Sequence, residues 1–137
     1  MELPANQAAA EAGQGKTVIG WALDREQRKE LLQQFPPKFD NVVADHVTLA
    51  AKAKQDAALP CERLGEIVGR VDDGEGVEAL VVAIDDSTDR PDGSIYHITW
   101  SLGEGRRARE SNNVIARLGW TAIDLPMPVR LIPSRWP

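Results

Sequence analysis

A chain of 137 residues, 42% apolar and 27% charged, can bury a core as one domain, and no apolar run approaches the roughly 20 residues of a membrane-spanning helix. The formal net charge of -5 sets the surface as a whole against a long phosphate backbone, so a nucleic-acid ligand has to be small or held by its end in a locally favourable cleft. The single cysteine, Cys61, excludes an internal disulfide, and the start "MELPANQAAAEAGQGK" has neither a basic opening nor an apolar stretch for export, so a cytoplasmic setting is expected.

Residues 1–15 combine Ala, Gln, Gly and Pro without apolar periodicity and predict a disordered or weakly helical tail outside the core, leaving 16–137 as the single folded domain. At the junction of tail and domain, "AGQGKT" (12–17) lacks the first glycine of a phosphate-binding loop and leads into a strand instead of a helix. "TVIGWAL" (17–23) is β-branched and aromatic, a first strand. Asp24 then caps a helix over "REQRKELLQQF" (25–35), stopped by "PP". "DHVTLAAK" (45–52) reads as a second strand, and the stretch up to residue 65 is open between loop and short helix.

"EIVGRVDD" (66–73) and "VEALVVAID" (77–85) flank "GEG" as a hairpin. "DSTDRPDGS" is a polar turn; as a calcium loop it fails because Arg90 stands where the glycine is required. "IYHITWSL" (95–102) is a further strand, "RRARESNNVIARLG" (106–119) a helix ended by Gly119, and 121–136 one or two strands broken by prolines. Trp21, Trp100 and Trp120 are assigned to the core. The sum is an α+β fold, mostly antiparallel, whose element order predicts two similar lobes.

Both histidines of the chain stand two residues before a threonine in a strand: His46 with Thr48, His97 with Thr99. Residues i and i+2 share a face, so each strand offers an imidazole and a hydroxyl together, while Val47, Leu49, Ile98 and Trp100 face the other way. With five threonines in 137 residues, chance gives both pairs roughly once in 700, so an explanation by ordinary strand residues, adequate for either one, fits the pair poorly. Two histidines are too few for a typical zinc site, and local spacing supplies no acid to complete one although Asp45 precedes His46, so neither metal nor cofactor is expected. What a facing pair of imidazoles can do is divide the work of hydrolysis: one removes a proton from water, the other gives one to a leaving group, and the threonine hydroxyls bond phosphate oxygens.

The tetrads "HVTL" and "HITW" resemble those of the 2H phosphoesterase (LigT-like) superfamily. "IGWALDREQRKELLQQFPPKFDNVVADHVTLA" and "HITWSLGEGRRARESNNVIARL" are most similar to the cyclic phosphodiesterase domain of fungal and plant tRNA ligases, where an SN pair, here Ser111 and Asn112, follows the second tetrad. The resemblance spans most of 17–120. It implies two antiparallel-sheet lobes about a pseudo-twofold axis, one tetrad from each facing a central cleft. The activity it implies is metal-independent hydrolysis of 2',3'-cyclic phosphate ends of RNA or nucleotides, with His46 and His97 as catalytic acid and base and Thr48 and Thr99 on the phosphate.

By the same resemblance His97 leans towards activating water and His46 towards protonating the leaving oxygen. Hydrolysis of 2',5'-linked or cyclic oligonucleotides, or non-catalytic binding of a nucleotide or RNA end, are the alternatives. Arg106 and Arg107 of "RRAR" either approach the phosphate or begin a solvated helix. The tetrads are only 51 residues apart, which demands compact lobes. With no ligase or kinase domain in these residues, the expected partners are the nucleotide or RNA substrate and separate RNA-repair enzymes, for a monomer away from membranes.

Overall fold

A computed structural model describes all 137 residues. In chain order the elements are β1 (Glu2–Leu3), α1 (Ala5–Glu11), β2 (Thr17–Leu23), α2 (Arg25–Gln34), β3 (Asn41–Val42), β4 (His46–Ala53), β5 (Leu59–Pro60), β6 (Leu64–Asp72), β7 (Val77–Ala83), β8 (His97–Leu102), α3 (Glu110–Leu118) and β9 (Thr121–Trp136). The fold is α+β. Strands β8-β4-β2-β9-β6-β7 are hydrogen-bonded antiparallel in that order, and β7 pairs back to β8, closing a six-stranded barrel with β3 added at its rim. None of the three helices is long and apolar enough to cross a membrane.

The antiparallel strands form one continuous barrel. The reason lies in β9, which runs 16 residues and serves both halves: residues 121–130 pair with β6, and 131–136 pair with β2. Its prolines do not break it. Pro128 stands opposite Glu66 beyond the end of the β2 pairing, and Pro133 opposite Trp21 beyond the end of the β6 pairing, so each has a free edge where no N–H is needed. On the far side the halves meet weakly, since β4 and β8 share one paired position, Val47 with Ile98.

The alternation of β4 and β8 sends Val47, Leu49, Ile98 and Trp100 into the core, all buried. Trp21 and Trp100 fill it, and each indole N–H is satisfied by a carbonyl, Trp21 on Glu62 at 2.8 Å and Trp100 on Phe35 at 2.7 Å. The second of these bonds, with an edge-on Phe35–Trp100 contact, anchors the end of α2 to the barrel. At its start Asp24 accepts the Gln27 N–H at 3.0 Å, the capping role its position in the sequence predicts.

Two further expectations fail. The tail is ordered: β1 pairs with β5, and α1 packs Ala5, Ala8 and Ala12 into the main core. Alanine is the best helix former, and a stripe of methyls at this spacing lets a helix lie close on the barrel, but it carries too little hydrophobic contrast to register as periodicity. The helix start is capped from afar, by Glu62 Oε2 accepting the Ala5 N–H at 3.0 Å. Trp120 is the second failure: it is 37% exposed, its ring laid against the backbone of Gly69, where any Cβ would collide with it.

Candidate active site

Where β4 and β8 meet, their register organises the polar face. Extending the Val47–Ile98 pairing by one residue in each direction sets His46 across from Thr99 and Thr48 across from His97. An antiparallel pair has a local twofold axis through its paired position, so the two imidazoles are symmetry mates on a diagonal, roughly 7–8 Å apart at the backbone in a regular ladder. Above this face lies a cavity of about 190 Å³ lined by His46, Thr48, Ala51, Arg90, His97, Thr99, Ala108, Arg109 and Asn112. That volume is below the roughly 300–1,000 Å³ that encloses a drug-sized ligand, so it suits a small group with the remainder of the ligand outside.

The two histidines are held differently. His97 Nδ1 lies 2.8 Å from the Ile95 carbonyl oxygen, which can only accept, so Nδ1 carries the proton and Nε2 presents a lone pair in the neutral ring. Burial depresses the pKa of His97 below the ordinary histidine value, and the positive charges of Arg90 and His46 press in the same direction against the opposing Ile95 hydrogen bond. It is neutral near pH 7. His46 Nδ1 is 3.1 Å from Asp45 Oδ2, and Asp45 Oδ1 takes Arg25 Nη2 at 2.7 Å. Burial alone would raise the Asp45 carboxyl; the hydrogen bonds from Arg25 and His46 outweigh it and keep Asp45 ionised.

Neighbours in a strand face opposite ways, so Asp45 reaches His46 only because the chain kinks before β4, at Ala44 with φ +43°. The His46 ring also packs against Trp136, the ring centroids 4.9 Å apart. The neighbours of His46 are therefore a carboxylate and an indole, whereas those of His97 are a carbonyl and a guanidinium.

The hydroxyls differ too. Thr99 Oγ1 is 2.8 Å from Ser111 Oγ, a fully buried group on the first turn of α3, and 3.3 Å from the Ala108 carbonyl. Ser111 thus positions Thr99 and does not line the cavity; Asn112, the next residue, does. Thr48 has no partner within the chain and is half-buried at the cavity wall.

Neither Arg106 nor Arg107 reaches this site. Arg106 is bound to Asp73 at 2.9 Å and Glu110 at 3.0 Å and donates to the Glu75 carbonyl, an arrangement that raises its pKa further through those same two carboxylates. Arg107 is exposed, outside the cavity lining, and α3 starts only at Glu110, so the helix expected from 106 is preceded by turns. Arg109, the last residue of "RRAR", lines the cavity instead. So does Arg90, which the sequence places in a polar turn: its side chain is 6% exposed, its Nε donates to the Leu49 carbonyl at 3.1 Å, and its Nη2 stands 3.4 Å from Asp92. Arginine in an acidic turn carries no outward sign of this. Asp45, Arg25 and Trp136 were equally hidden, since the kink and the strand pairing that deliver them are tertiary features.

The arrangement combines a neutral imidazole, an imidazole backed by a carboxylate, two hydroxyls and two guanidiniums, with no carboxylate among the nine lining residues. No three His, Cys, Asp or Glu side chains converge elsewhere in the chain in a way that could hold a metal ion. No protein-family model, curated protein or solved structure matches the chain.

Proposed function

We propose that this chain is a phosphodiesterase of the 2H type that hydrolyses a 2',3'-cyclic phosphate at the end of RNA or on a nucleotide to a phosphomonoester, without a metal ion. The observation that carries the reading is the sign of the cavity: in a chain of net charge -5, a space of about 190 Å³ is lined by two arginines, two histidines and no acid. Such a lining favours a small anion, and the imidazole pair across it gives that anion a reaction. The half-barrels on either side of the β4–β8 seam are read as the two lobes of the LigT-like arrangement, sharing β9.

The roles follow from the partners of each ring. His97 Nε2, neutral, takes a proton from water as its oxygen attacks phosphorus. His46, its Nδ1 on Asp45, gives its Nε2 proton to the sugar oxygen as the P–O bond breaks. Arg90 and Arg109 balance charge on the non-bridging oxygens, and Thr48 and Thr99 orient them. The ring opens to a monoester, His97 ends protonated and His46 neutral, and exchange with solvent restores both.

The test is turnover of 2',3'-cyclic AMP, and of an RNA oligonucleotide ending in a cyclic phosphate, in EDTA. Activity is expected to persist in chelator and to fall about 10²–10⁴-fold in His46→Ala and in His97→Ala. Loss of activity in chelator refutes the two-histidine chemistry. Tight binding without turnover in the wild type refutes the enzyme in favour of a binding module.

A further inference from the structure

Trp136 packs on a titrating ring, yet it does not line the cavity. It lies at the end of β9, paired with Val18 of β2. Two residues along, Gly20 stands between Ser134 and Thr48, and it contributes no side chain to separate the indole from His46. The glycine is obligatory there, because any Cβ would collide with the Val47 carbonyl. The indole is therefore left free to approach the His46 ring, which it does at 4.9 Å between centroids with a 48° tilt. An indole is the aromatic best suited to holding a cation within about 6 Å of its face.

The charged groups around His46 make such a contact useful. Arg90, Arg109 and His97 line the same cavity as His46, and like charges in one site work against each other. Asp45, at 3.1 Å, is the one carboxylate touching the ring, and its charge is shared with Arg25. A cavity built to be positive for an anion thus works against the acid that the reaction needs.

We infer that Trp136 is a positioning residue that, with Asp45, holds His46 in its protonated, proton-donating form against the positive cavity. The inference rests on the phosphodiesterase reading for its role in turnover, but the contact itself can be measured without turnover. The experiment follows the side-chain nitrogens of His46 and His97 by NMR through a pH titration of the wild type, Trp136→Phe, Trp136→Leu and Asp45→Asn, alongside the pH profile of kcat/KM on 2',3'-cyclic AMP.

The proton affinity of His46 should fall in the order wild type, Trp136→Phe, Trp136→Leu, with a total loss of about 3- to 30-fold, while His97 stays within error. The alkaline limb of kcat/KM, where the acid loses its proton, should move to lower pH in step. Equal His46 titrations in wild type and both Trp136 variants overturn the inference, and leave the indole as packing. Trp136→Phe keeps a ring in place and decides the matter alone if Trp136→Leu does not fold. Absence of turnover in the wild type refutes the phosphodiesterase reading, and the NMR series still decides whether Trp136 holds the proton.

Discussion

His46 and His97 head strands with the same four-residue pattern and the same relation to the core, and the chain treats them in opposite ways. In β4 the imidazole is about one-third exposed, its Nδ1 on a carboxylate and its face against Trp136. In β8 it sits deeper, its Nδ1 on a backbone carbonyl, with Arg90 facing it. Thr48 is free, whereas Thr99 is tied to Ser111. On the phosphodiesterase reading, twofold placement would bring two equal imidazoles to one phosphate. Concerted transfer needs them unequal, and the inequality comes from groups outside both tetrads.

The largest effect on that inequality is expected at Arg90. Arg90→Gln removes a buried guanidinium from the cavity and should lower kcat/KM by about 10²–10³-fold, the scale of losing one preorganised charge partner. It should also move a limb of the pH profile. The base is active when neutral, so its limb is the one where activity falls as pH drops, and burial and Arg90 hold this limb below the ordinary histidine value of 6.5. Without the guanidinium the limb moves to higher pH. Stability carries the same sign: the unfolded chain takes up a proton at His97 before the folded chain does, so folding free energy declines as pH falls through the histidine range, and less so in Arg90→Gln. Arg90→Lys keeps the charge without the fork, and should retain the limb while losing rate. A limb that stays put in Arg90→Gln would mean that the difference between the histidines comes from burial alone.

The threonines give the next test. Ser111 can donate to Thr99 Oγ1, whose own proton rests on the Ala108 carbonyl at 3.3 Å and has to turn from it to reach a phosphate oxygen; Thr48 lacks such support. Ser111→Ala should cost about 1 kcal/mol, near fivefold in kcat/KM, although Ser111 does not touch the cavity. In a double-mutant cycle, Ser111→Ala should add nothing once Thr99 is alanine, yet add fully to Thr48→Ala. Additivity with Thr99→Ala would break the assignment of Ser111 as the support of Thr99.

What could be read from the sequence follows from the range of the interactions concerned. Strand alternation is local, so the His/Thr face and the core face of β4 and β8 were legible, as was the Asp24 cap. The pairing of the two strands was implied only by their repetition. Closure into a barrel was not, because it depends on β9 bending past its prolines from one partner to another. The same limit hid Arg90 and Trp136, whose place at the site is set by strand register and by a buried bond to the Leu49 carbonyl. The alanine face of α1 escaped for a different reason: methyl groups contribute packing closeness more than hydrophobic contrast.

"RRAR" sharpens the point at its smallest scale, since three arginines within four residues meet three fates. Arg109 lines the cavity on the approach to α3, and Arg109→Ala should lower kcat/KM about tenfold by weakening the hold on an anion at an exposed position. Arg106 holds Asp73, whose side chain is 1% exposed, so Arg106→Ala leaves a buried carboxylate with only the Glu75 and Val77 N–H groups as partners; it should lower Tm by several degrees with little change in kcat/KM per folded molecule. Arg107 is exposed and is engaged only through its backbone, its N–H on Glu110 Oε2 at 2.7 Å and its carbonyl accepting the Glu110 N–H at 3.0 Å, bonds that alanine keeps. Arg107→Ala should leave both kcat/KM and Tm unchanged. Measured together on 2',3'-cyclic AMP and by thermal melting, the three variants separate a catalytic field from a structural ion pair. A loss of rate in Arg107→Ala equal to that in Arg109→Ala would show that the run acts as a diffuse positive patch, and that the closed set of nine cavity residues is drawn too narrowly.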